Sequence, residues 1–136
     1  MTLPRTYLVI DDSRLHHQMY QLIFARPALQ GGSLLHAYDG REGYAMFGAH
    51  PEVALVFLDL NMPGMNGLEF LERRRAEALH PRIPVVLVTT ESAPDDEARG
   101  LASGAWAYMR KPFTPEQLEA LVQQALGSAT PVTSRT

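Results

Sequence analysis

Apolar residues come in short bursts along this chain, and each burst ends on a polar or charged residue. Tyr7-Leu-Val-Ile10 runs into Asp11-Asp12, Leu34-Leu-His-Ala-Tyr38 into Asp39-Gly40, and Leu55-Val-Phe-Leu58 into Asp59. Ile83-Pro-Val-Val-Leu-Val88 closes on Thr89, and Ala105-Trp-Ala-Tyr-Met109 is stopped by Lys111-Pro112. Where such runs do not alternate with polar residues they read as strands buried on both faces. Pro84 is tolerable near the start of the fourth.

Between the runs the spacing turns helical. Ser13 is a candidate N-cap, and Leu15, Met19, Leu22 and Ile23 recur at helical intervals up to Pro27, before the Gly31-Gly32 turn. A second helix runs through Tyr44, Ala45 and Phe47 to about Gly48. A third opens near Asn66 with Leu68 and Leu71 on one side, and Glu69, Glu72 and Arg73 to Arg75 on an outer, solvated face. Pro94 with Asp95, Asp96 and Glu97 starts a fourth, since acids suit the unpaired N–H groups of a first turn; it stops at Gly104. Thr114-Pro-Glu-Gln117 has capping-box spacing with proline at the first helical position, ahead of a stripe of Leu118, Leu121, Val122 and Ala125.

Five strands alternating with five helices predict an α/β fold: a doubly wound, five-stranded parallel sheet covered on both faces by right-handed crossovers. The order 2-1-3-4-5, as in flavodoxin-like folds, sets strands one and three side by side at the switch point. Asp11, Asp12 and Asp59 then meet at one rim. The 136 residues are one domain's worth of chain, assigned to 1–127, with the Ser/Thr/Pro-rich 128–136 as a disordered tail or the start of a linker. A net charge of −3 argues against a nucleic-acid binder working by bulk charge, and the lack of cysteine removes disulfides and thiolate metal sites. No leader-like or membrane-spanning run is present, so no membrane partner and a cytoplasmic location are expected.

Three carboxylates in one crevice repel, and a small dication relieves them. All-oxygen ligation with few protein ligands suits Mg²⁺, with Mn²⁺ as the alternative. Thr89 adds a hydroxyl at the end of strand four, and Lys111 adds after strand five a point charge of the kind proteins aim at phosphate.

At these residues the chain resembles the receiver domain of bacterial two-component response regulators, of the single-domain chemotaxis type, from Tyr7 to Leu126. Asp11-Asp12 resembles the acidic pair, Asp59 the phosphoacceptor, Thr89 the hydroxyl, Lys111-Pro112 the lysine and its proline, and Tyr108 the switch aromatic. Asp59-Leu-Asn-Met-Pro-Gly-Met-Asn-Gly67 follows the family's loop almost position for position. The resemblance implies phosphoryl transfer to Asp59 from the phosphohistidine of a histidine kinase or a histidine phosphotransfer protein. It implies Mg²⁺ held by Asp12, Asp59 and the backbone carbonyl of Asn61, with Asp11 acting through water. Lys111 and Thr89 would bind the phosphoryl oxygens, after which Thr89 moves and Tyr108 swings into the vacated space. The face of helix four, strand five and helix five would then bind a downstream protein or a second copy. Beyond its own phosphoryl transfer and acyl-phosphate hydrolysis the domain is not expected to be an enzyme. One departure is Thr90, where the family usually carries alanine or glycine; its bulk would narrow access to Asp59. Asn61 and Glu91 occupy the positions that influence acyl-phosphate lifetime in the family.

A phosphatase of the haloacid dehalogenase class would need Asp-x-Asp after a strand, which neither Asp11-Asp12-Ser13 nor Asp59-Leu60-Asn61 supplies. A flavodoxin would need a Ser/Thr/Gly-rich cradle after strand one. The remaining alternative is a phosphorylation-independent interaction module. No two of the five histidines have metal-ligand spacing, and His16 and His17 are expected near the exposed side of the first helix. Trp106, the only tryptophan, shares an alternating face with Tyr108 and Arg110 and is expected to be partly exposed, as a candidate interface residue.

Overall fold

A computed structural model describes residues 5–90 and 94–127 of the chain. Five parallel strands, β1 (Thr6–Ile10), β2 (Ser33–Ala37), β3 (Val53–Asp59), β4 (Val85–Thr89) and β5 (Ala107–Arg110), pair in the order β2-β1-β3-β4-β5. The helices between them are α1 (Arg14–Phe24), α2 (Gly40–Ala49), α3 (Gly67–Glu77), α4 (Pro94–Ala102) and α5 (Pro115–Gly127). A short 3-10 turn, Pro27–Leu29, follows α1. The expected order therefore holds, and β1 and β3 stand side by side with Ile10 opposite Leu58.

The sheet divides the interior in two because side chains alternate along each strand. Leu8, Ile10, Val56, Leu58, Val85 and Leu87 face α2 and α3, meeting Phe47, Phe70 and Leu71. Tyr7, Val9, Leu55, Phe57, Val86 and Val88 face α1 and α5, meeting Tyr20, Phe24, Leu118 and Leu121. Both faces of the central strands are thus dry, which is why their sequences show no alternation.

The caps form where the sequence places them. Ser13 accepts from the His16 N–H, Asn66 and Glu69 form a reciprocal capping box, and Thr114 and Gln117 form another. The faces of α1 differ from expectation. Leu15 and Leu22 are 64% and 74% exposed, while His17, Tyr20, Ile23 and Phe24 point inward. An aromatic edge wins because Tyr20 and Phe24 pack on Phe57, and Phe24 also on Tyr7. Arg74, expected on a solvated face, is buried: its guanidinium donates to the carbonyls of Leu79, His80 and Ile83 and closes the turn after α3.

Trp106 is also placed differently. It is buried against the α1 and α5 side with Ala107 and Met109, whereas Tyr108 belongs to the opposite side. Regular pairing of β5 starts only at Ala107, after a turn in which Gly104 takes φ +108°. The alternation that groups Trp106 with Tyr108 therefore does not extend back to position 106.

Candidate functional site

Each acid reaches the rim because a strand stops beneath it. β1 ends at Ile10, and Asp11 N–H still pairs with the Ala37 carbonyl, so Asp11 is held as a continuation of the sheet. Its Oδ1 accepts from the Ser13 N–H at 2.8 Å, which ties the acid to the N-terminus of α1. Asp59 is the last residue of β3, and Asn61 N–H reaches back to its Oδ1 at 3.4 Å. The loop after it returns tightly: Gly67 N–H donates to the Leu60 carbonyl, and a Cβ on Gly67 would stand 2.8 Å from the Asp59 carbonyl oxygen. Only glycine fits that approach.

Carboxylate oxygens of Asp11, Asp12 and Asp59 lie within 4.8 Å of one another. Asp11 and Asp59 are buried and Asp12 is exposed, so the cluster opens to solvent on the Asp12 side. Lys111 enters from the end of β5, its backbone N–H bonded to the Thr89 carbonyl and its peptide bond to Pro112 cis. Its ammonium is 2.8 Å from Asp11 Oδ2 and 3.6 Å from Asp59 Oδ1. Thr89 is buried at the end of β4, and its hydroxyl accepts from the Asn61 side chain at 3.4 Å. Thr90 stands exposed beside it. Burial pushes the Asp59 carboxyl up to about 6; the nearby Lys111 opposes the rise, and Asp11 and Asp12 add to it. Hard oxygen donors, crowded and left with an unfavourable charge, fit a small dication.

Tyr108 is fully enclosed. Burial raises its phenol pKa, Glu97 adds to the rise, and Arg110 opposes it. Glu91 lies outside the described residues, as does the segment 128–136.

Two residues at the site were not expected there. His16 sets its Nδ1 at 3.1 Å from Asp11 Oδ2 and 2.9 Å from Lys111 Nζ. His17 is buried, and its Nε2 donates to the Asp11 carbonyl oxygen at 2.7 Å. With its hydrogen on Nε2, His17 accepts at Nδ1 from His36 Nδ1–H, 2.7 Å away on β2. His36 Nε2 in turn accepts from the Gln21 amide at 3.3 Å. One directional chain of hydrogen bonds thus runs from α1 through the edge strand to the backbone of the acid pair. The apolar period of α1 gave no sign of it; the adjacency of two histidines to Asp11-Asp12, one helical turn on, was the only available signal.

Response regulator receiver domains, as a family, match this chain over residues 7–123. The chain belongs to the response regulator receiver family. A chemotaxis protein CheY homolog of Campylobacter jejuni is 33% identical to this receiver over 89% of the chain and 92% of its own length. Among solved structures, the Vibrio cholerae chemotaxis protein CheY4 is 32% identical and superposes with a TM-score of 0.79, over 90% of this receiver and 99% of that chain. A CheY-like receiver domain protein from Methanospirillum hungatei superposes at 0.81 with 26% identity, over 93% of this receiver and 96% of that chain. A receiver is a signalling domain of two-component systems. Among the described residues, no helix of this one is long and apolar enough to cross a membrane.

Proposed function

We propose that this receiver takes a phosphoryl group onto Asp59 from a phosphohistidine on a histidine kinase or histidine phosphotransfer protein. The observation that carries the reading is the convergence on Asp59 of two further acids and a lysine ammonium 3.6 Å away. An Asp59 carboxylate oxygen forms the new bond to phosphorus as the phosphorus–nitrogen bond of the donor breaks, and the imidazole leaves with the electron pair. Asp12, Asp59 and the Asn61 carbonyl would hold Mg²⁺ or Mn²⁺, with Asp11 acting through water. Bound there, the cation neutralises charge on the transferring group. Lys111 donates to one phosphoryl oxygen and the Thr89 hydroxyl to another. Positioning and charge neutralisation are the main needs of this chemistry, and these side chains supply both.

The response is a change in the population of conformations on the face of α4, β5 and α5, with Thr89 and Tyr108 as its internal links. That face docks a downstream protein or a second copy of the chain. Thr90 at the rim restricts small-molecule donors more than protein ones, and Asn61 and Glu91 set the lifetime of the acyl phosphate. Trp106, being buried, supports that face from beneath.

The test is a mass shift of one phosphoryl group with phosphoramidate and Mg²⁺, mapped by peptide analysis. Asp59→Asn should abolish it, and Lys111→Ala should retain metal binding while uncoupling labelling from the conformational change. Label on another residue in the Asn variant sinks the assignment. No label on the wild type with any donor leaves the phosphorylation-independent interaction module as the reading.

A further inference from the structure

The phosphoryl-transfer scheme uses Lys111 but leaves open what aims it. A lysine ammonium has three hydrogens and no lone pair, so it orients only by donating. Here Asp11 Oδ2 takes one hydrogen at 2.8 Å, and Asp59 Oδ1 stands 3.6 Å off. His16 Nδ1 stands 2.9 Å from the ammonium and 3.3 and 3.1 Å from Asp11 Oδ1 and Oδ2. A lone pair there accepts from the ammonium, whereas a hydrogen there would donate to the Asp11 carboxylate and crowd the ammonium's own hydrogens. The contact with the ammonium is the shortest of these, and it favours the arrangement with the His16 hydrogen on Nε2 and the lone pair of Nδ1 turned to Lys111.

We propose that His16 is a positioning residue for Lys111, its Nδ1 fixing the ammonium so that the hydrogen left over faces Asp59. The proposal rests on the phosphoacceptor reading above. Two further observations support it. The Lys111 side chain is only 8% exposed, so water does not readily supply the missing acceptor. His16 is also held by its backbone to the same loop as Asp11: its N–H donates to the Ser13 hydroxyl, and the Ser13 N–H donates to Asp11 Oδ1. The acceptor being neutral matters. A third carboxylate there would compete with the phosphoryl group for the lysine's charge, whereas an imidazole lone pair sets direction and leaves the charge available. With no acceptor at all, the ammonium relaxes onto Asp11 and away from Asp59.

The experiment has two arms, both on the full chain. In the first, long-range nitrogen–proton NMR of the metal-free protein at about pH 8, where imidazoles are neutral, reads the His16 tautomer. Nδ1 should carry no hydrogen, and Lys111→Met should move the hydrogen onto Nδ1, facing Asp11. A hydrogen on Nδ1 in the wild type overturns the proposal. In the second, the affinity for beryllofluoride, a phosphoryl mimic, is measured with Mg²⁺ for the wild type, His16→Met and His16→Asn. The Met variant keeps bulk without the acceptor and should lose roughly tenfold, the scale of one hydrogen bond to a charged group in a partly solvated site. The Asn variant, whose Oδ1 falls where Nδ1 stood, should recover most of the loss. Both should bind Mg²⁺ alone as the wild type does and melt cooperatively, which separates positioning from damage to the fold. Equal affinity of wild type and Met variant, or no recovery in the Asn variant, also overturns it. If the wild type takes no beryllofluoride, the phosphoacceptor reading fails and this proposal with it; if it binds and the Met variant matches it, the proposal fails alone.

Discussion

Asp59→Asn should make the metal-free protein more stable near neutral pH, although it removes the residue the site is built around. Asp59 is only 7% exposed, and burial pushes its carboxyl up from 3.8 to about 6. Lys111 lowers that value, but burial and the two neighbouring acids outweigh it. Between those two pKa values the folded chain keeps a proton that the unfolded chain has released. The Asp59 contribution to stability therefore falls as pH rises from about 4 to about 6 and is level above that. The gap of about 2 units, at 1.36 kcal/mol each, sets a ceiling of about 3 kcal/mol on what the ionised carboxylate costs the fold.

Asparagine keeps the shape and still accepts from the Asn61 N–H, but it carries no charge. Urea unfolding with a chelator present, at intervals from about pH 4 to about pH 8, gives the difference between variant and wild type. That difference should grow by about 2–3 kcal/mol across the window, worth roughly 10 °C in Tm for a chain of this size. Other groups that titrate there, His36 among them, contribute to both proteins and cancel. A difference that is flat with pH, or that favours wild type at about pH 7, would refute the claim that the site stores repulsion for a cation to relieve.

The same repulsion predicts that millimolar Mg²⁺ (an order-of-magnitude concentration for a site of this kind) raises the melting temperature, and that Asp12→Ala loses most of the gain; no shift in calorimetry would mean the acids hold no metal. Gly67→Ala should destabilise by about 1–3 kcal/mol in denaturant titration, because the added methyl meets the Asp59 carbonyl oxygen at 2.8 Å and a Leu87 methyl at 2.9 Å; a neutral result would mean the loop yields freely. The His36 pKa is lowered by burial and by the adjacent His17, so its contribution to stability is present above the unfolded value of 6.5 and is lost as pH falls through the lower folded value. His36→Gln should flatten that acid-side slope in thermal melts, and an unchanged slope would assign it to another group.

How much of this was legible beforehand follows from where the physics is local. Strand ends, caps and the acid cluster are legible because each depends on a few adjacent residues: a dry run that stops at an acid, a serine before a helix, a threonine three residues before a glutamine. The order β2-β1-β3-β4-β5 follows from the alternation of elements together with the need for Asp11, Asp12 and Asp59 to meet. Trp106 was not legible in the same way. Its side depends on the residue at which β5 begins to pair, and a turn with a left-handed glycine shifts that start by a residue or two.

The first helix shows the deeper reason. Apolar spacing marks a buried face only where the surface opposite is apolar, and the surface opposite the start of α1 is the polar end of β1. The Asp11 carbonyl and the Lys111 ammonium each need a partner there, one a donor and the other an acceptor. Neutral imidazole supplies one of each, depending on its tautomer, and two consecutive helical residues point about 100° apart. His16 and His17 therefore straddle Asp11 in the same tautomer, His17 turning its Nε2–H to the Asp11 carbonyl and His16 its Nδ1 lone pair to the ammonium beside the carboxylate. Leu15 and Leu22, which carried the apolar signal, are left facing solvent. The part of the site that the hydrophobic pattern concealed is thus the part where the helix serves the acids and not the core.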